Sequence, residues 1–347
     1  MPTSSRIRGG AIIIKQKLIQ KNVYYPILDF LRLFAAYMVI TIHFGQHGSS
    51  DAFTAIRRFV VPFFIIVTGY FVFDSDKEKQ TTKLASLFKK MLWLNMIWGL
   101  IYLIPHVILN DNGNFLKYIT RFSISYNNIM KQTPIFMGYE HYHLWYITAL
   151  VVASGVLYML SKYISKKAFT IILHFLPLLL IQCFLVFRLK FFYNIGVNAF
   201  DYRNAWFFTL PFLAIGMLIK RYYKETNFGI IILLLLVPPL WFYNTLEIRK
   251  ELEFSISGSL IAVVLFLISI TKYNGLIQNK IAIECAKIAG GASAFIFFAH
   301  ILLVNYVLRP LQQESNYIIQ SFTILFIIYL IYYIIKKYLM NRIQLRK

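Results

Sequence analysis

Charged residues are scarce in this sequence, and those present are mostly basic. Asp, Glu, Lys and Arg together make up 14% of the 347 residues, whereas 59% are hydrophobic and 18% are aromatic. Soluble domains carry about 25% charged residues, so this composition excludes a soluble globular protein. Apolar runs of about 20 residues, long enough to cross a bilayer as helices, recur along the chain. The sequence therefore predicts a polytopic protein embedded in the lipid bilayer.

Cysteine and long polar stretches are also lacking. The two cysteines exclude a disulfide framework and a cysteine-based metal site. The longest polar stretch, residues 109–142, is too short to fold as a separate soluble domain. We therefore predict one membrane domain over residues 24–336, with a basic leader at 1–23 and a basic tail at 337–347. The leader lacks a sustained apolar segment before a small-residue cleavage site, which favours a cytoplasmic leader over a signal peptide.

Hydropathy predicts an all-α bundle of about ten transmembrane helices. The apolar runs lack the two-residue alternation of barrel strands, and helices are the other structure that can span a bilayer. The ten predicted spans are 24–44, 53–73, 91–108, 143–160, 168–187, 205–219, 228–245, 256–271, 292–308 and 317–335.

The distribution of basic residues predicts the orientation of these helices. With the N-terminus inside, 24 of the 36 Lys and Arg residues fall in inner segments and 9 in outer loops. An excess of Lys and Arg is typical of cytoplasmic loops, so both termini are predicted to be cytoplasmic in a cell-membrane protein. The net charge of +22 is dispersed among these loops. It therefore does not form the concentrated basic surface that a nucleic-acid partner requires, and no such partner is predicted.

The first span carries three ionisable residues on one helical face. At about 100° and 1.5 Å per residue, Asp29, Arg32 and His43 fall on one side of a helix, with Arg32 and His43 roughly 16 Å apart along its axis. Ionisable groups inside a membrane are costly and favour a functional interpretation. Arg32 lies toward the predicted cytoplasmic side and His43 toward the outside. The face is therefore predicted to form a polar stripe through the membrane.

His43 is the residue of this stripe that is best suited to proton transfer, because an imidazole accepts and releases a proton near neutral pH. A packed histidine that bridges helices is the alternative. Asp29 and Arg32 are spaced for an ion pair in which Asp29 only neutralises Arg32. His43, His141 and His143 complete no familiar zinc signature, so no metal site is predicted.

Two adjacent arginines, Arg57 and Arg58, stand in the early part of the second span. Neighbouring helical residues point about 100° apart, so we expect one side chain to face the interior and the other to reach the outer headgroups. We expect Arg58 to face inward, where a guanidinium binds phosphate or a developing oxyanion. Gly69, later in this span, permits close contact between helices.

Three later residues are candidates for binding the substrate. His143 and Trp145 lie where the fourth span begins, and His300 lies in the middle of the ninth. For Trp145 the plain interpretation is a position in the aromatic belt at the membrane surface. For His300 it is a buried histidine that is hydrogen-bonded across helices.

Four motifs in this order resemble those of acyltransferase family 3, a family of integral membrane proteins that includes bacterial O-acyltransferases of surface polysaccharides. The most specific motif is an arginine followed, after ten intervening residues, by a histidine, here Arg32 and His43. The other motifs are Arg58 with Val61-Pro62-Phe63-Phe64 and Gly69-Tyr70, then His143-Leu144-Trp145, then His300. In the motif that contains Arg58, Thr68 stands where many members have serine. The resemblance covers essentially the whole chain.

The resemblance implies transfer of an acyl group, usually acetyl, from a coenzyme A thioester on the cytoplasmic side to a hydroxyl at or beyond the outer face. The implied acceptor is a cell-surface glycan or its lipid-linked precursor. Arg32 and Arg57 are then expected to bind acetyl-CoA. His43 would activate the acceptor hydroxyl, Asp29 would belong to the catalytic set, and Arg58 would stabilise the oxyanion. The sequence leaves open a second mechanism, in which His43 carries the acyl group covalently.

A transport function is the second hypothesis. The chain lacks the extracytoplasmic hydrolase-like domain of larger family members, so transfer is expected within the membrane domain. The short form also resembles the membrane part of proteins linked to resistance to cell-wall antibiotics, for which amino-acid uptake is the implied role. A carrier or flippase using the same polar cavity is therefore the alternative to an O-acetyltransferase.

Overall fold

The computed structural model describes residues 24–44, 57–110, 144–182, 204–223, 236, 238–240, 256–271, 277–304 and 317–344. Within these ranges the regular structure is helical and contains no strand, which confirms the all-α prediction. A short π-helical turn, Ala205–Thr209, precedes the sixth α-helix. The α-helices are α1 (Pro26–Phe44), α2 (Val60–Val72), α3 (Lys77–Asn110), α4 (Trp145–Tyr163), α5 (Lys166–Phe175), α6 (Leu210–Tyr222), α7 (Ile256–Ser269), α8 (Lys280–Leu302) and α9 (Tyr317–Gln344).

Four helical segments are long and apolar enough to cross a membrane, by length and composition. They are Lys77–Tyr102, Trp145–Tyr163, Lys280–Leu302 and Ser321–Tyr338. Two shorter apolar helices are Val60–Val72 and Ser257–Ser269. The count of ten spans stays a prediction, because the span predicted at 228–245 falls almost wholly outside the described residues.

Two helices begin well before the apolar runs that predicted them. α3 starts at Lys77 and α8 at Lys280, whereas the apolar runs were placed at 91–108 and 292–308. The added turns contain Lys, Glu, Gln and Ala, which favour a helix as strongly as leucine does. Hydropathy identifies the apolar part of such a helix and does not detect its polar extension.

Helix α1 lies against α2, α7, α8 and α9 and is the centre of the described bundle. It buries Leu28, Ala35, Ala36 and Ile40 almost completely. The two alanines allow α8 to approach closely, as small residues do between membrane helices. Packing around α1 therefore fixes the helix that carries the predicted polar stripe.

Helix α2 packs on α6 through a pair of glycines. A Cβ at Gly69 would overlap the backbone of Leu213, and one at Gly216 would overlap the backbone at Ile66. No larger residue fits this crossing, which confirms the close contact expected at Gly69. Hydrogen bonds also join helices, two of them from α3. The amide of Asn95 donates to the hydroxyl of Thr148 at 2.8 Å between α3 and α4, and the hydroxyl of Tyr102 donates to the Phe298 carbonyl at 2.6 Å between α3 and α8.

The helix ends that the charge count assigns to the cytoplasm lie together at one end of the bundle. A cleft at this end is lined by the C-terminal ends of α2, α4 and α6 and by the N-terminal ends of α3 and α5. The beginning of α1 joins this group, because the hydroxyl of Tyr25 lies 3.3 Å from that of Tyr70 near the end of α2. We call this end of the bundle, defined by Tyr25, Asp74, Lys77, Lys166 and Arg221, the inner end. Its assignment to the cytoplasm is a prediction from charge.

Candidate active site along the first helix

The part of α1 nearest the inner end holds an ion pair between Asp29 and Arg32. Pro26 begins the helix with a φ angle that suits the first turn, and Asp29 places a carboxylate in that turn, where the helix dipole favours it. Nη1 of Arg32 donates to Oδ1 of Asp29 at 3.0 Å. The hydroxyl of Tyr24 donates to Oδ2 of Asp29 at 2.9 Å. The pairing predicted from the three-residue spacing is thus present, and both carboxylate oxygens have a donor.

Gly290 of α8 makes room for the carboxylate of Asp29. A Cβ added at Gly290 would overlap the Asp29 side chain. Sequence reasoning missed this residue, although two adjacent glycines, Gly290 and Gly291, inside a helix are a visible signal of close approach. The position of the ion pair therefore depends on the α1–α8 contact as well as on α1 itself.

Arg32 keeps a hydrogen-bond donor that the described part of the chain does not use. Its side chain is 28% exposed, yet its Nε is buried and has no hydrogen-bond partner among the described residues. The buried Tyr146 of α4 lies within electrostatic reach of Arg32, and its hydroxyl lies beside that of Thr68 of α2. A partly accessible guanidinium with a free N–H can bind an anion or a polarised carbonyl oxygen. This is the chemistry expected of a donor-binding arginine.

The outer part of α1 contacts Arg57. Arg57 is 5% exposed, and its Nη1 donates to the backbone carbonyl of Thr41 at 2.7 Å. Carbonyls in the last turn of a helix have no partner within the helix, so this bond satisfies one of them. Thr41 stands two residues before His43 in the same helix. Arg57 therefore holds the backbone from which His43 projects, while the side chain of His43 lies outside what the structure describes.

The order of burial of the two arginines differs from our expectation. We expected Arg58 to face inward, but the structure buries Arg57 and leaves Arg58 at intermediate exposure. The reason is that Arg57 stands before the start of α2 at the point where it reaches the last turn of α1. This corrects the predicted orientation. The roles in oxyanion and donor binding stay predictions.

Trp145 and His300 lie outside the Arg32 ion pair. Trp145 begins α4, is partly buried and packs edge-on against Phe208 of the π-helical turn, with ring centroids 5.6 Å apart. His300 is 2% exposed, and its Nδ1 lies 2.7 Å from the Phe297 carbonyl in its own helix. The Phe297 ring packs against both Tyr146 at 5.0 Å and His300 at 6.2 Å. His300 is thus one aromatic ring away from Tyr146. His143 lies outside the described residues.

Thr209 is a further buried polar residue that sequence reasoning missed. Its hydroxyl is buried and has no hydrogen-bond partner within the described ranges. Thr209 is the last residue of the π-helical turn, and Asn204 caps the start of that turn. The Oδ1 of Asn204 accepts from the backbone N–H groups of Trp206 and Phe207 at 2.9 Å each. Short π-helical turns are often found at functional sites. The sequence offers only the helix-capping Asn204 as a signal, and that signal does not distinguish a π turn from an ordinary helix start.

A metal centre is not evident in the part of the chain that the structure describes. No group of three or more His, Cys, Asp or Glu side chains is placed there to hold a metal ion. His141 and His143 lie outside these residues.

Comparison with known proteins identifies the family. Residues 25–342 match the family model described as an acyltransferase domain. Two proteins of Enterococcus faecalis named amino-acid racemase are 29% identical over 225 residues (60% of this chain, 30% of the relative) and 28% identical over 218 residues (57% and 29%). A serine/alanine racemase of Enterococcus gallinarum is 27% identical over 211 residues, 56% of this chain and 29% of the relative.

The chain thus spans about 30% of the length of these curated relatives. No solved structure matches it. The family match, in contrast, covers nearly the whole chain and includes all four motifs noted in the sequence. On that coverage, the chain belongs to acyltransferase family 3.

Proposed function

We propose that this protein is a membrane O-acetyltransferase that moves an acetyl group from cytoplasmic acetyl-CoA to a hydroxyl of a cell-surface glycan or its lipid-linked precursor. The observation that carries the proposal is the state of Arg32. It is a partly exposed cation with an unused N–H, on the same unbroken helix as His43. Eleven residues make about three turns, so the backbone positions of both residues lie on one side of α1.

The acetyl donor is a substrate that brings its own reactive thioester. In the proposed reaction, the acceptor oxygen attacks the thioester carbon while His43 removes the proton of the acceptor hydroxyl. A carbon–oxygen bond forms, the carbon–sulfur bond breaks, and the thiolate of coenzyme A leaves with the proton that His43 returns. Arg58, before the start of α2, would stabilise the oxyanion that forms in between. The acetyl group ends as an oxygen ester on the acceptor.

The contacts of the other candidate residues support different roles. Asp29 orients and neutralises Arg32, so in this proposal it positions the donor-binding group and does not contact the donor itself. Arg57 is bonded to the α1 backbone and positions His43, which modifies its expected role in donor binding. His143, Trp145 and His300 are proposed to bind the acceptor on the outer side of the stripe.

The test is the O-acetyl content of the host's surface glycans. We expect a deletion strain to lose an alkali-labile acetyl ester from one such glycan and the wild-type gene to restore it. The Arg32→Ala variant at normal membrane level should fail to restore it. The Lys337→Gln variant, which changes an exposed cation of α9, should restore it fully. An unchanged acetyl content in the deletion strain would overturn the proposal.

Transport is the second candidate because of the relatives. The matching region lies in proteins named for racemisation and covers less than a third of them, so related membrane domains occur in proteins with a different named activity. A carrier would move a small solute, such as an amino acid, into vesicles that contain the purified protein without consuming acetyl-CoA. Uptake in the absence of acetyl-CoA, abolished by Arg32→Ala, would favour this candidate over acetyl transfer.

A further inference from the structure

A cleft with a basic lining opens at the inner end of the bundle, apart from the Asp29–Arg32 pair. It lies between the α2–α3 turn and helices α4, α5 and α6. Lys77, Lys166 and Arg221 line it from three different helices, and the rings of Phe73 and Phe169 form its apolar wall. Three cations that converge from separate elements on one concave surface create a local positive potential.

Two helices also begin in this cleft. α3 begins at Lys77 and is capped by Asp76, whose Oδ1 accepts from the N–H of Lys79 at 3.0 Å. α5 begins at Lys166 and is capped by Ser165, whose Oγ accepts from the N–H of Ala168 at 3.2 Å. The first turn of a helix carries a partial positive charge and binds anions. The dipole of α5 therefore adds to the potential of the lysines, whereas the carboxylates of Asp76 and Glu78 offset the dipole of α3.

The one carboxylate in the cleft lining is already neutralised. Oδ2 of Asp74 lies 3.0 Å from Nζ of Lys83, and its Oδ1 accepts from the N–H of Asp76 at 3.1 Å. Burial raises the pKa of Asp74, but the Asp76 N–H and the Lys83 ammonium outweigh burial and hold that pKa below its ordinary value. Asp74 thus stays ionised and paired with Lys83. Arg221 donates from Nη1 to the hydroxyl of Thr170 at 3.0 Å, but this neutral partner leaves its charge, like those of Lys77 and Lys166, for a ligand.

Polar groups lie between α6, at the edge of this cleft, and the beginning of α1, the helix that carries Arg32. Nζ of Lys220 lies 3.4 Å from the hydroxyl of Tyr70 and 4.5 Å from the centre of its ring. Lys220 precedes Arg221, a cleft-lining residue, in α6, and its pKa is lowered by burial and by the nearby Lys83. The hydroxyl of Tyr70 lies 3.3 Å from that of Tyr25, one turn before Asp29 in α1. We call this sequence of groups, from Lys220 through Tyr70 and Tyr25 to Arg32, the inner track.

We propose that the basic cleft binds a phosphate group of the acyl-CoA donor, so that the nucleotide end stays at the inner end while the thioester arm follows the inner track to Arg32. This assignment rests on the proposed acetyl transfer. Lys77, Lys166 and Arg221 bind the phosphate oxygens, and the start of α5 adds backbone N–H donors. The headgroup of an anionic lipid shares this chemistry, so the experiment separates the two sources.

The experiment measures binding of adenosine 3′,5′-bisphosphate, the nucleotide end of coenzyme A, to the full chain in lipid nanodiscs. In discs of zwitterionic lipid, we expect the wild-type protein to bind this probe. The double variant Lys166→Gln, Arg221→Gln should weaken binding about tenfold or more, because each lost charge-assisted contact is worth about that much. The matched double variant Lys336→Gln, Lys337→Gln removes two inner cations of α9 outside the cleft and should bind as the wild type does.

Each outcome decides between the alternatives. Equal melting temperatures of the two double variants will show that both are folded. Unchanged probe affinity in the cleft variant would overturn the proposal. A probe that fails to bind in zwitterionic discs, together with cleft-dependent binding of labelled phosphatidylglycerol, would assign the cleft to a lipid headgroup and overturn the donor assignment.

The proposed function can fail separately from the cleft. Cleft-dependent binding of the bisphosphate without any acetyl transfer would support the cleft and contradict the proposed function. Acetyl transfer by the cleft variant with the wild-type KM for acetyl-CoA would support the function and contradict the cleft.

Discussion

Arg32 and Arg57 contact the two ends of the same helix, yet their environments differ. Arg57 is 5% exposed and donates to the carbonyl of Thr41, so it stabilises the last turn of α1. The side chain of Arg32 is 28% exposed, shares a carboxylate with Tyr24 and keeps a buried N–H that no described residue accepts. A guanidinium that is buried and donates to backbone stabilises the fold, whereas one whose side chain is 28% exposed can reach a ligand. The comparison separates two arginines that the sequence placed in one donor-binding set.

The largest expected effect comes from removing Arg32, the arginine that we propose binds the donor. We expect Arg32→Ala to lower kcat/KM for acetyl transfer by about 100-fold or more, the usual loss when one preorganised donor is removed from a site. Arg32→Lys should recover part of this loss, since it keeps the charge but not the forked geometry. Initial rates with labelled acetyl-CoA measure both. If the Arg32→Ala variant is about as active as the wild type, Arg32 does not bind the donor, and the two arginines do not differ in role.

The second effect concerns the structural arginine. Arg57→Ala should reduce the free energy of unfolding by about 2–3 kcal/mol, because it deletes a charge-assisted hydrogen bond and leaves a buried carbonyl without a donor. Thermal unfolding in detergent, followed by the loss of monodisperse protein, measures this change. Arg57→Lys is the matched control and should be less destabilised. If the Arg57→Ala protein is fully stable but has lost its affinity for acetyl-CoA, Arg57 binds the donor and does not have the structural role proposed here.

A smaller effect tests whether the position of the Arg32 pair depends on α8. Gly290→Ala places a methyl group against the Asp29 carboxylate and should destabilise the protein by about 1–3 kcal/mol while also raising the KM for acetyl-CoA. The matched control is Gly99→Ala, since a Cβ at Gly99 meets no described atom within 4 Å. That control should be neutral or slightly stabilising, because alanine favours a helix more than glycine does. Equal effects of the two substitutions would show that the α1–α8 contact does not hold Asp29.

The smallest effect is expected away from both arginines. Thr148→Val removes the acceptor of the Asn95 amide between α3 and α4 and should cost about 0.6 kcal/mol, the average for a hydrogen bond between membrane helices. The rate of acetyl transfer should not change. This variant gives the background against which the losses at Arg32 and Arg57 are measured. A tenfold loss of activity in Thr148→Val would mean that destabilisation alone lowers the rate. A loss of activity at Arg32 or Arg57 would then not indicate a role in acetyl transfer.

The sequence predicted the features of the site that depend on neighbours along one helix. The helical class, the extent of α1 and the Asp29–Arg32 pair follow from apolar length and from a spacing of three residues. Each of these depends on local geometry, which the order of residues determines directly.

The features that the sequence did not predict depend on contacts between distant segments. Whether Arg57 or Arg58 is buried depends on a rotation of about 100° and on how the segment before α2 meets α1, and hydropathy contains neither fact. The contact of Asp29 with Gly290 joins residues 261 positions apart. Thr209 adopts its position in a π turn that propensities do not distinguish from an α-helix. Tertiary packing therefore decided the assignments in the site that the sequence left uncertain.

The central claim, that α1 carries an acetyl transfer in which His43 is the base, is tested most directly in inverted membrane vesicles of the host. These vesicles expose the cytoplasmic face, so acetyl-CoA labelled in its acetyl group is supplied to the inner end, and label in alkali-labile esters of the enclosed glycan is counted. His174→Ala, at an exposed histidine of α5, is the matched control. We predict that the wild type and His174→Ala label the glycan equally and that His43→Ala, at equal protein level, is slower by about 100-fold or more. Labelling by His43→Ala at the wild-type rate would contradict the account.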